Sequence, residues 1–290
     1  MNLEEGVPLA KLTTIGTGGP ARAFAKPSTL AELEEALAWA AERELPVATV
    51  GLGSNLLAAD DGVDALVLRL VGELGSVRVG GETLAAGGGA TNAVCLHQAR
   101  AAGLGGFEFA CAIPGTAGGG VRMNAGAYGS DWSEILARAR VVTGDGAGWL
   151  TGTELGLSYR HSDLPPNAVV AEVEYRLAPR PAEEIKEKVR ELIEQRKATQ
   201  PTNKRTFGSV FKNPDHELGA GRLLEQAGLK GHMIGGAMIS PKHANFIENA
   251  GGATSADALA LMAEARRRAR EQFGVELEHE VQLLGPIAVT

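Results

Sequence analysis

The stretch from Ile113 to Gly129 holds six glycines in seventeen residues and no acidic residue. Because glycine has no Cβ atom, a run of glycines lets backbone N–H groups come close to a ligand. Several N–H groups that point into one concavity form a site for an anion, most often a phosphate. A second glycine loop, Gly51–Leu57, precedes this stretch in the chain. Two such loops indicate a single ligand with two phosphates, and therefore a dinucleotide.

The residues around the earlier glycine loop predict a small α/β unit. Thr29 and Glu32 have the spacing of a capping box, which predicts the start of a helix over 29–43. Residues 47–50 then predict a short strand that leads directly into Gly51, and ligands bind at such strand ends in α/β folds. Further along the chain, hydrophobic periodicity predicts helices at 90–102, 181–199, 221–227 and 255–273, and strands at 65–70, 138–143, 168–177 and 275–283.

Composition and charge exclude several classes of protein. A formal net charge of −7 argues against a nucleic-acid partner, which requires clustered basic residues. Two cysteines cannot build a disulfide framework, and the six histidines lack the spacing of a metal site, so we expect no catalytic metal. No apolar run approaches the ~18 residues of a membrane span, and the first residues lack the features of a signal peptide. We therefore expect a cytoplasmic protein that binds neither membrane nor nucleic acid, and the sequence indicates no obligate protein partner.

Each motif also has a plainer interpretation. The glycine loops could be ordinary tight turns. Gly16–Ala21 matches a dinucleotide-binding fingerprint only superficially, because no strand precedes it and Pro20 stands where the helix should begin. The chain contains no phosphate-binding loop of the G-x-x-x-x-G-K-[ST] type, and neither glycine loop carries a lysine, which disfavours phosphoryl transfer. From the residues alone, the interpretation is a dinucleotide-binding α/β protein.

Taken together, several segments resemble the UDP-N-acetylenolpyruvylglucosamine reductases, the flavoenzymes that complete UDP-N-acetylmuramate in peptidoglycan synthesis. The matching segments are 14–21 (TIGTGGPA), 51–57 (GLGSNLL), 107–129 (FEFACAIPGTAGGGVRMNAGAYG), 157–162 (LSYRHS), 208–214 (GSVFKNP), 229–235 (LKGHMIG), 240–249 (SPKHANFIEN) and 277–285 (LEHEVQLLG). The early glycine loops are typical of the wider FAD-binding superfamily of vanillyl-alcohol-oxidase type, and the later segments narrow the resemblance to this reductase. One departure is Gly120, which stands where alanine is common. The chain resembles the compact form of the family, without an extra substrate-covering segment.

The resemblance implies an α+β fold in which a two-part FAD-binding α/β module precedes a C-terminal α+β substrate-binding domain. It places the first FAD-binding subdomain at residues 1–64, to which residues 284–290 can return. The second FAD-binding subdomain would then span residues 65–200, and the substrate-binding domain would span residues 201–283.

The resemblance also implies the ligands and the residues that contact them. NADPH would be the hydride donor, and the substrate would be a UDP-sugar. FAD would bind without a covalent bond, because no histidine or cysteine lies in the Gly51–Leu57 loop. The positions that match FAD-contacting residues of the family are Gly51, Gly53, Ser54, Asn55, Leu56, Pro114, Gly115, Thr116, Gly118, Gly119, Asn124, Ala125 and Gly126. The positions that match its substrate-holding residues are Lys212, Asn213 and Gln226.

Three positions match the catalytic residues of the family. Hydride from N5 of reduced FAD would add to C3 of the enolpyruvyl group, and Ser209 would then deliver a proton to C2. Arg160 would hold the carboxylate of that group, since an arginine fork matches a carboxylate with two hydrogen bonds. Glu280 would lie beside it, either protonated or paired with Arg160. What activates Ser209, whether Lys212 or a water chain, stays open. The alternative functions are a flavin oxidase or dehydrogenase of the same superfamily that acts on another substrate, and a non-enzymatic nucleotide-binding protein.

Overall fold

The computed structural model describes residues 2–289, which form short strands and helices in two compact units. The helices in this range are α1 (Leu30–Ala41), α2 (Asn92–Ala101), α3 (Ala117–Arg122), α4 (Ala182–Thr199), α5 (Ala220–Gln226) and α6 (Ser255–Phe273). The strands are β1 (Leu3–Glu4), β2 (Val7–Pro8), β3 (Pro20–Ala25), β4 (Val47–Thr49), β5 (Leu56–Ala58), β6 (Val63–Leu68), β7 (Val77–Gly80), β8 (Thr83–Gly87), β9 (Leu104–Gly105), β10 (Gly126–Ala127), β11 (Ser130–Asp131), β12 (Leu136–Thr143), β13 (Gly146–Thr151), β14 (Val169–Arg176), β15 (Ala178–Pro179), β16 (Thr206–Ser209), β17 (Met233–Ile234), β18 (Ala237–Ile239), β19 (Phe246–Asn249) and β20 (Gln282–Leu284). The first unit comprises the residues up to Glu4, Ala23–Leu52 and Ala65–Arg196, and the second comprises Glu5–Arg22, Gly53–Asp64 and the residues from Lys197 onward.

The start of α1 shows how local sequence sets the fold. The Thr29 hydroxyl accepts a hydrogen bond from the Glu32 amide at 3.2 Å. The Glu32 carboxylate reaches back to Ser28 and accepts hydrogen bonds from its amide at 2.6 Å and its hydroxyl at 2.7 Å. These hydrogen bonds from Ser28 hold the pKa of Glu32 below its usual value. The helix start predicted at Thr29 is therefore present and satisfied by its own side chains.

Two larger sheets organise the first unit. In one sheet, β4 pairs in parallel with the Leu66–Leu68 part of β6, and α1 buries Leu33 and Leu37 in the same core. The other is an antiparallel sheet with the strand order β13-β12-β14-β8-β7. Its core includes Trp132, whose indole N–H donates a hydrogen bond to the Tyr175 hydroxyl at 2.8 Å. Because α3 packs on β14, the glycine-rich stretch is fixed to the middle of this sheet.

The second unit is built on an antiparallel sheet with the strand order β16-β19-β18-β17. Helices α5 and α6 contribute to its core, which includes Phe207, Leu223 and Leu261. A capping box closes the start of α6, where Thr254 and Asp257 each accept a hydrogen bond from the other's backbone N–H. In the same unit, β5 pairs in parallel with β20.

The last strand is shorter than the one predicted over 275–283. Only Gln282–Leu284 forms a ladder, whereas Phe211 and His279 form an isolated bridge. Leu277 and Val281 are nevertheless buried, and the acidic residues between them are more accessible. The alternation of apolar and polar residues therefore records which side of an extended segment is buried, and it does not require a paired strand.

Candidate active site

In the first unit, the two glycine loops adjoin at Gly51 and Thr116. A Cβ atom on Gly51 would lie 2.6 Å from the Thr116 hydroxyl oxygen, closer than real Cβ atoms come to their neighbours. Thr116 is the N-cap of α3 and accepts a hydrogen bond from the Gly119 amide at 3.4 Å. Arg69 donates a hydrogen bond to the Gly51 carbonyl at 2.9 Å. Gly51, the second residue after β4, is therefore packed closely against the start of α3.

Some glycines of the 113–129 stretch are required by packing. A Cβ atom on Gly118 would approach the carbonyl oxygen of Val170 in β14 to 3.0 Å, and one on Gly120 would overlap the indole of Trp132. The Gly118 amide donates a hydrogen bond to the Gly88 carbonyl at 2.8 Å, so it is not offered to a ligand. Trp132 also explains why Gly120 departs from the family pattern, in which alanine is common, because the indole fills the space that an alanine methyl group would need.

Gly115 and Gly119, by contrast, leave open space on one side of the stretch. The one atom within 4 Å of a Cβ position on Gly115 is the side-chain nitrogen of Asn92, at 3.4 Å. A Cβ atom on Gly119 would have only the Thr116 hydroxyl nearby, at 3.5 Å, and Gly119 is exposed. Pro114 beside them is exposed as well. We call the surface of Pro114, Gly115 and Gly119 the open side of the stretch, and a ligand can approach the backbone there.

In the second unit, the segment from Gly53 to Leu56 offers N–H donors rather than carbonyl acceptors, as a site for an anion does. The Gly53 carbonyl accepts a hydrogen bond from the Thr14 amide at 3.0 Å, and the Asn55 carbonyl accepts one from the Gln282 amide at 3.0 Å. Gly53 has a φ of 67°, and a Cβ atom there would overlap neighbouring backbone. Within residues 2–289, the amides of Gly53 and Asn55 donate to no protein acceptor. Two residues whose carbonyls are occupied and whose N–H groups are not, Gly53 and Asn55, suit a phosphate.

Arg160 occupies a tight turn in the first unit. Ser158 and His161 exchange backbone hydrogen bonds of 3.1 Å around the turn. Arg160 has a φ of 55°, a left-handed conformation that is uncommon for a residue with a side chain. Its guanidinium donates a hydrogen bond to the Gly126 carbonyl at 2.6 Å. The structure therefore brings Arg160 and Gly126 together, in a backbone conformation of the kind that concentrates at functional sites.

Asn124 is the side chain that holds this turn. Its side-chain nitrogen donates hydrogen bonds to the Ser158 carbonyl at 2.9 Å and to the Asp131 carboxylate at 3.2 Å. Its side-chain oxygen accepts a hydrogen bond from the Ser133 amide at 3.0 Å, and the residue is buried. The backbone of Ala125 is also engaged by hydrogen bonds within the unit. Both side-chain amide hydrogens of Asn124 are therefore used within the protein, and its backbone N–H donates a hydrogen bond to the Val121 carbonyl at 3.0 Å.

Ser209 lies in the second unit at the end of β16, directly after a β-bulge. Thr206 is opposite Glu248 and Ser209 is opposite Phe246, so β16 carries one residue more than β19 over this span. Gly208 lies within the bulge with a φ of 84°, and its amide donates a hydrogen bond to the Thr206 hydroxyl at 3.3 Å. Bulges re-aim side chains and are over-represented next to active sites. The bulge thus sets the direction of the Ser209 side chain.

The segment that carries Glu280 runs beside the residue that follows Ser209. The Glu280 amide donates a hydrogen bond to the Val210 carbonyl at 2.8 Å. The Asn55 side chain donates a hydrogen bond to the Glu280 carbonyl at 3.2 Å. The structure therefore brings together Ser209, Glu280 and Asn55, which come from three separate parts of the sequence.

The predicted substrate-holding residues lie next to α5 and at its end. The Lys212 ammonium is 2.6 Å from the Glu278 carboxylate, and the Lys212 side chain is 19% exposed against 71% for Glu278. The Asn213 side-chain oxygen accepts a hydrogen bond from the Ala220 amide at 3.1 Å, at the start of α5. Gln226 is the exposed last residue of α5. Lys212 and Asn213 are thus held in position by protein contacts.

The motifs assign no role to two buried asparagines, Asn245 in the second unit and Asn92 in the first. Asn245 donates a hydrogen bond to the Phe211 carbonyl at 2.8 Å and accepts one from the Phe211 amide at 3.0 Å, so it holds the segment that follows Ser209 in place. Asn92 donates a hydrogen bond to the Ile113 carbonyl at 2.9 Å. For Asn245, the sequence does contain an indication, since a single amide side chain interrupts the apolar residues 244–247. Buried amides of this kind are usually hydrogen-bonded.

Burial also shifts the pKa values of several groups. It raises the pKa of the Cys111 thiol, next to the glycine-rich stretch, and raises that of Cys95 to about 12. Thiols that remain protonated are poor nucleophiles. Burial lowers the pKa of His243, whose Nδ1 accepts a hydrogen bond from the Asn245 amide at 3.2 Å. Burial therefore favours the neutral form of each of these side chains.

Two other classes of feature are absent from residues 2–289. No cluster of three or more His, Cys, Asp or Glu side chains is arranged to hold a metal ion. None of the helices combines the length and the apolar composition that a membrane crossing needs.

Comparison with known proteins gives matches over most of the chain. The family model described as UDP-N-acetylenolpyruvoylglucosamine reductase, C-terminal domain, matches residues 200–284, and the one described as FAD binding domain matches residues 21–149. UDP-N-acetylenolpyruvoylglucosamine reductase 2 of Symbiobacterium thermophilum is 46% identical over 280 residues, which cover 96% of this chain and 91% of that relative. The UDP-N-acetylenolpyruvoylglucosamine reductase of Bacillus velezensis is 41% identical, over 97% of this chain and 93% of its own.

A solved structure matches the fold of this chain over nearly the full length of both proteins. The crystal structure of UDP-N-acetylenolpyruvylglucosamine reductase from Thermus caldophilus gives a TM-score of 0.86 at 38% identity, and the match covers 98% of this chain and 99% of that one. This match confirms the predicted fold class, an FAD-binding module together with a C-terminal domain. The predictions of an oxidoreductase and of FAD as its cofactor are confirmed as well. The chain therefore belongs to the UDP-N-acetylenolpyruvoylglucosamine reductase family.

Proposed function

We propose that this chain reduces the enolpyruvyl double bond of UDP-N-acetylglucosamine enolpyruvate to give UDP-N-acetylmuramate, with NADPH as the hydride donor. The observation that carries the proposal is the adjacency of Ser209 and Glu280, fixed by the hydrogen bond of 2.8 Å from the Glu280 amide to the Val210 carbonyl. This backbone contact brings the segments that carry an alcohol and a carboxyl group side by side, and reduction of a double bond requires a group that can deliver a proton. When bound, FAD supplies the hydride chemistry through its N5 atom.

The surfaces of the two glycine loops fit the cofactor. The amides of Gly53 and Asn55 offer N–H donors to a phosphate. Gly115 and Gly119 leave room for a ligand to rest against the backbone. We therefore assign FAD to the residues predicted from the family in Gly51–Leu56 and Pro114–Gly126, and we assign the sugar nucleotide to the predicted domain at residues 201–283.

Ser209 is the group that we assign to proton delivery. Hydride addition at C3 of the substrate leaves negative charge at C2, delocalised into the adjacent carboxylate. The Ser209 hydroxyl, directed by the bulge at Gly208, protonates C2. Serine is a weak acid, so its own proton must be replaced, either from water or from the Lys212 ammonium, which Glu278 holds at 2.6 Å.

Arg160 is the group that we assign to the substrate carboxylate. A guanidinium binds a carboxylate through two charge-assisted hydrogen bonds and stabilises the negative charge as it develops. The left-handed turn and the 2.6 Å hydrogen bond to the Gly126 carbonyl hold this side chain in place before substrate binds. Glu280 donates a hydrogen bond to the same charge in its protonated form, since an ionised carboxylate would repel it.

The remaining assignments concern the sugar nucleotide and its location. Lys212, Asn213 and Gln226 hold the substrate, and the cap that Asn213 forms on Ala220 gives its side chain a fixed position. We also place the reaction in the cytoplasm, because NADPH and nucleotide sugars are produced there.

Stopped-flow absorbance separates the two half-reactions and tests the role of Ser209. In Ser209→Ala, NADPH should reduce the flavin at the wild-type rate, whereas the enolpyruvyl substrate should reoxidise it about 10²–10⁴-fold more slowly, the range of general acid catalysis. Ser240→Ala is the matched control, because Ser240 is a buried serine of the same unit that accepts a hydrogen bond from the Lys242 amide at 3.2 Å. Equal slowing of both half-reactions in Ser209→Ala would exclude it as the proton donor. Oxidation of NADPH that did not depend on the enolpyruvyl nucleotide would contradict the substrate assignment.

A further inference from the structure

We propose that two copies of this chain associate through strand β13, which pairs with its own counterpart across a two-fold axis at Gly148. β13 (Gly146–Thr151) is the last strand on one side of the sheet β13-β12-β14-β8-β7 in the first unit. The proposal does not depend on the assignment of FAD or of the substrate. It rests on the direction, the accessibility and the sequence of this one strand.

The hairpin between β12 and β13 fixes which backbone groups of β13 point away from the sheet. Thr143 pairs with Gly146 across a two-residue turn, which makes this pair a hydrogen-bonded one. Hydrogen-bonded and non-hydrogen-bonded pairs alternate along an antiparallel ladder. The residues of β13 whose N–H and C=O groups point away from β12 are therefore Ala147, Trp149 and Thr151.

Thr151 agrees with this direction and leaves the other two residues free. Its amide donates a hydrogen bond to the Glu154 carboxylate at 2.8 Å, and its carbonyl accepts one from the Leu155 amide at 3.0 Å. Outside the ladder with β12, the amides and carbonyls of Ala147 and Trp149 form no hydrogen bond among residues 2–289. Both residues are exposed, so another strand can reach these groups from solvent.

The free backbone groups select one arrangement of two copies. With the two-fold axis at Gly148, Ala147 of one copy is opposite Trp149 of the other, and each such pair exchanges two backbone hydrogen bonds. The two symmetry-related pairs together use all the free outward groups of the strand. An axis at Trp149 would instead set Ala147 opposite Thr151, whose groups are already occupied. The contact is isologous, so it closes at a dimer and does not extend into a fibre.

The sequence of β13 lacks the devices that keep a sheet edge from pairing. Native proteins protect such edges with charged residues, proline, bulges or a covering element. β13 contains no proline and no charged residue, and its register with β12 is unbroken. At the other edge of the same sheet, β7 carries the exposed Arg78 and is in contact with α2. A second copy is the occupant that fits the unprotected edge, because it presents the same two free residues in matching order.

The Trp149 side chain leaves this edge open and adds apolar surface beside it. Its ring lies over Arg138 of β12, with 4.4 Å between the guanidinium carbon and the ring centroid, and the residue is 37% exposed. Arg138 is held in turn by hydrogen bonds to the Glu174 carboxylate at 2.7 and 2.8 Å. The indole is therefore directed toward β12. In the paired arrangement, Ala147 of the other copy shares a face with this ring and packs beside it.

Sedimentation equilibrium of the FAD-loaded protein, from micromolar to submillimolar chain concentration, tests the proposal. The wild type should approach twice the mass of one chain as the concentration rises. Ala147→Pro removes an amide that β12 does not use, a substitution that edge strands tolerate, so this variant should fold. It removes two of the four hydrogen bonds of the dimer, which should weaken association at least about tenfold. Ala147→Thr is the matched control, because it changes the same side chain, keeps the amide and should associate like the wild type.

Hydrogen–deuterium exchange locates the contact, since the amides of Ala147 and Trp149 should exchange more slowly at high chain concentration. A wild type that stays monomeric over the whole concentration range would overturn the proposal. So would a dimer that Ala147→Pro leaves intact, or one that Ala147→Thr weakens equally. If Ala147→Pro does not fold, Trp149→Lys keeps both amides and adds a protecting charge to the edge. It should lower the dimer fraction, and an unchanged dimer would again overturn the proposal.

Discussion

Replacing Gly120 by alanine tests whether packing against Trp132 accounts for a glycine in the 113–129 stretch. Within α3, alanine is intrinsically favoured over glycine by about 1 kcal/mol. The added Cβ atom would overlap the indole of Trp132, which is fully buried and donates a hydrogen bond of 2.8 Å to Tyr175. Overpacking costs about 1–3 kcal/mol, and a lost hydrogen bond costs about 1 kcal/mol more. The costs exceed the gain, so we expect Gly120→Ala to lower the free energy of unfolding by about 1–3 kcal/mol.

Gly119→Ala is the matched comparison for this prediction. It lies on the same helix, but the only atom near its Cβ position is the Thr116 hydroxyl at 3.5 Å. We expect the apoprotein to gain up to about 1 kcal/mol of stability, while FAD binding weakens because the methyl group occupies the open side. Denaturation of the apoproteins and titration with FAD measure the two effects. A Gly120→Ala apoprotein as stable as Gly119→Ala would refute the packing argument, and unchanged FAD affinity in Gly119→Ala would refute the assignment of the open side.

Two further predictions concern the second unit. Glu280→Gln keeps the backbone amide that contacts Val210, so we expect this variant to fold. In stopped-flow measurements, NADPH should reduce its flavin at the normal rate, whereas the enolpyruvyl substrate should reoxidise the flavin slowly. Near-normal turnover would leave Glu280 without a catalytic role. Backbone hydrogen bonds from Thr254 and Gly236 hold the pKa of Asp257 below its usual value. The ionised carboxylate therefore stabilises the fold above about pH 4, and this contribution to stability is lost as the pH falls through the lowered pKa. Asp257→Asn should therefore lower the Tm at pH 7 and have little effect in acid, and equal losses at both pH values would contradict this assignment.

The features that could be predicted from the sequence are those with local causes. Helices α1 and α6 begin at side-chain caps and carry apolar stripes, and both lie within one or two residues of the predicted 29–43 and 255–273. The strand predicted over 275–283 is mostly wrong, because alternation specifies burial and not a partner strand. The adjacency of Ser209 and Glu280 depends on pairing between distant segments, so no local pattern contains it. Only the resemblance to a known family indicated that these two residues act together.

Hydrogen-bond accounting shows that the two glycine loops are not equivalent, although their compositions are alike. The amides of Gly53 and Asn55 have no acceptor within residues 2–289, which is the polarity that a pyrophosphate needs. In the first turn of α3, by contrast, the amides of Ala117 and Gly118 each donate to a backbone carbonyl at 2.8 Å. The inference of one phosphate for each loop therefore does not follow for the second loop, where these two amides are already occupied. A glycine count predicts where a backbone can approach a ligand, but the donors and acceptors at that surface decide which part of the ligand lies there.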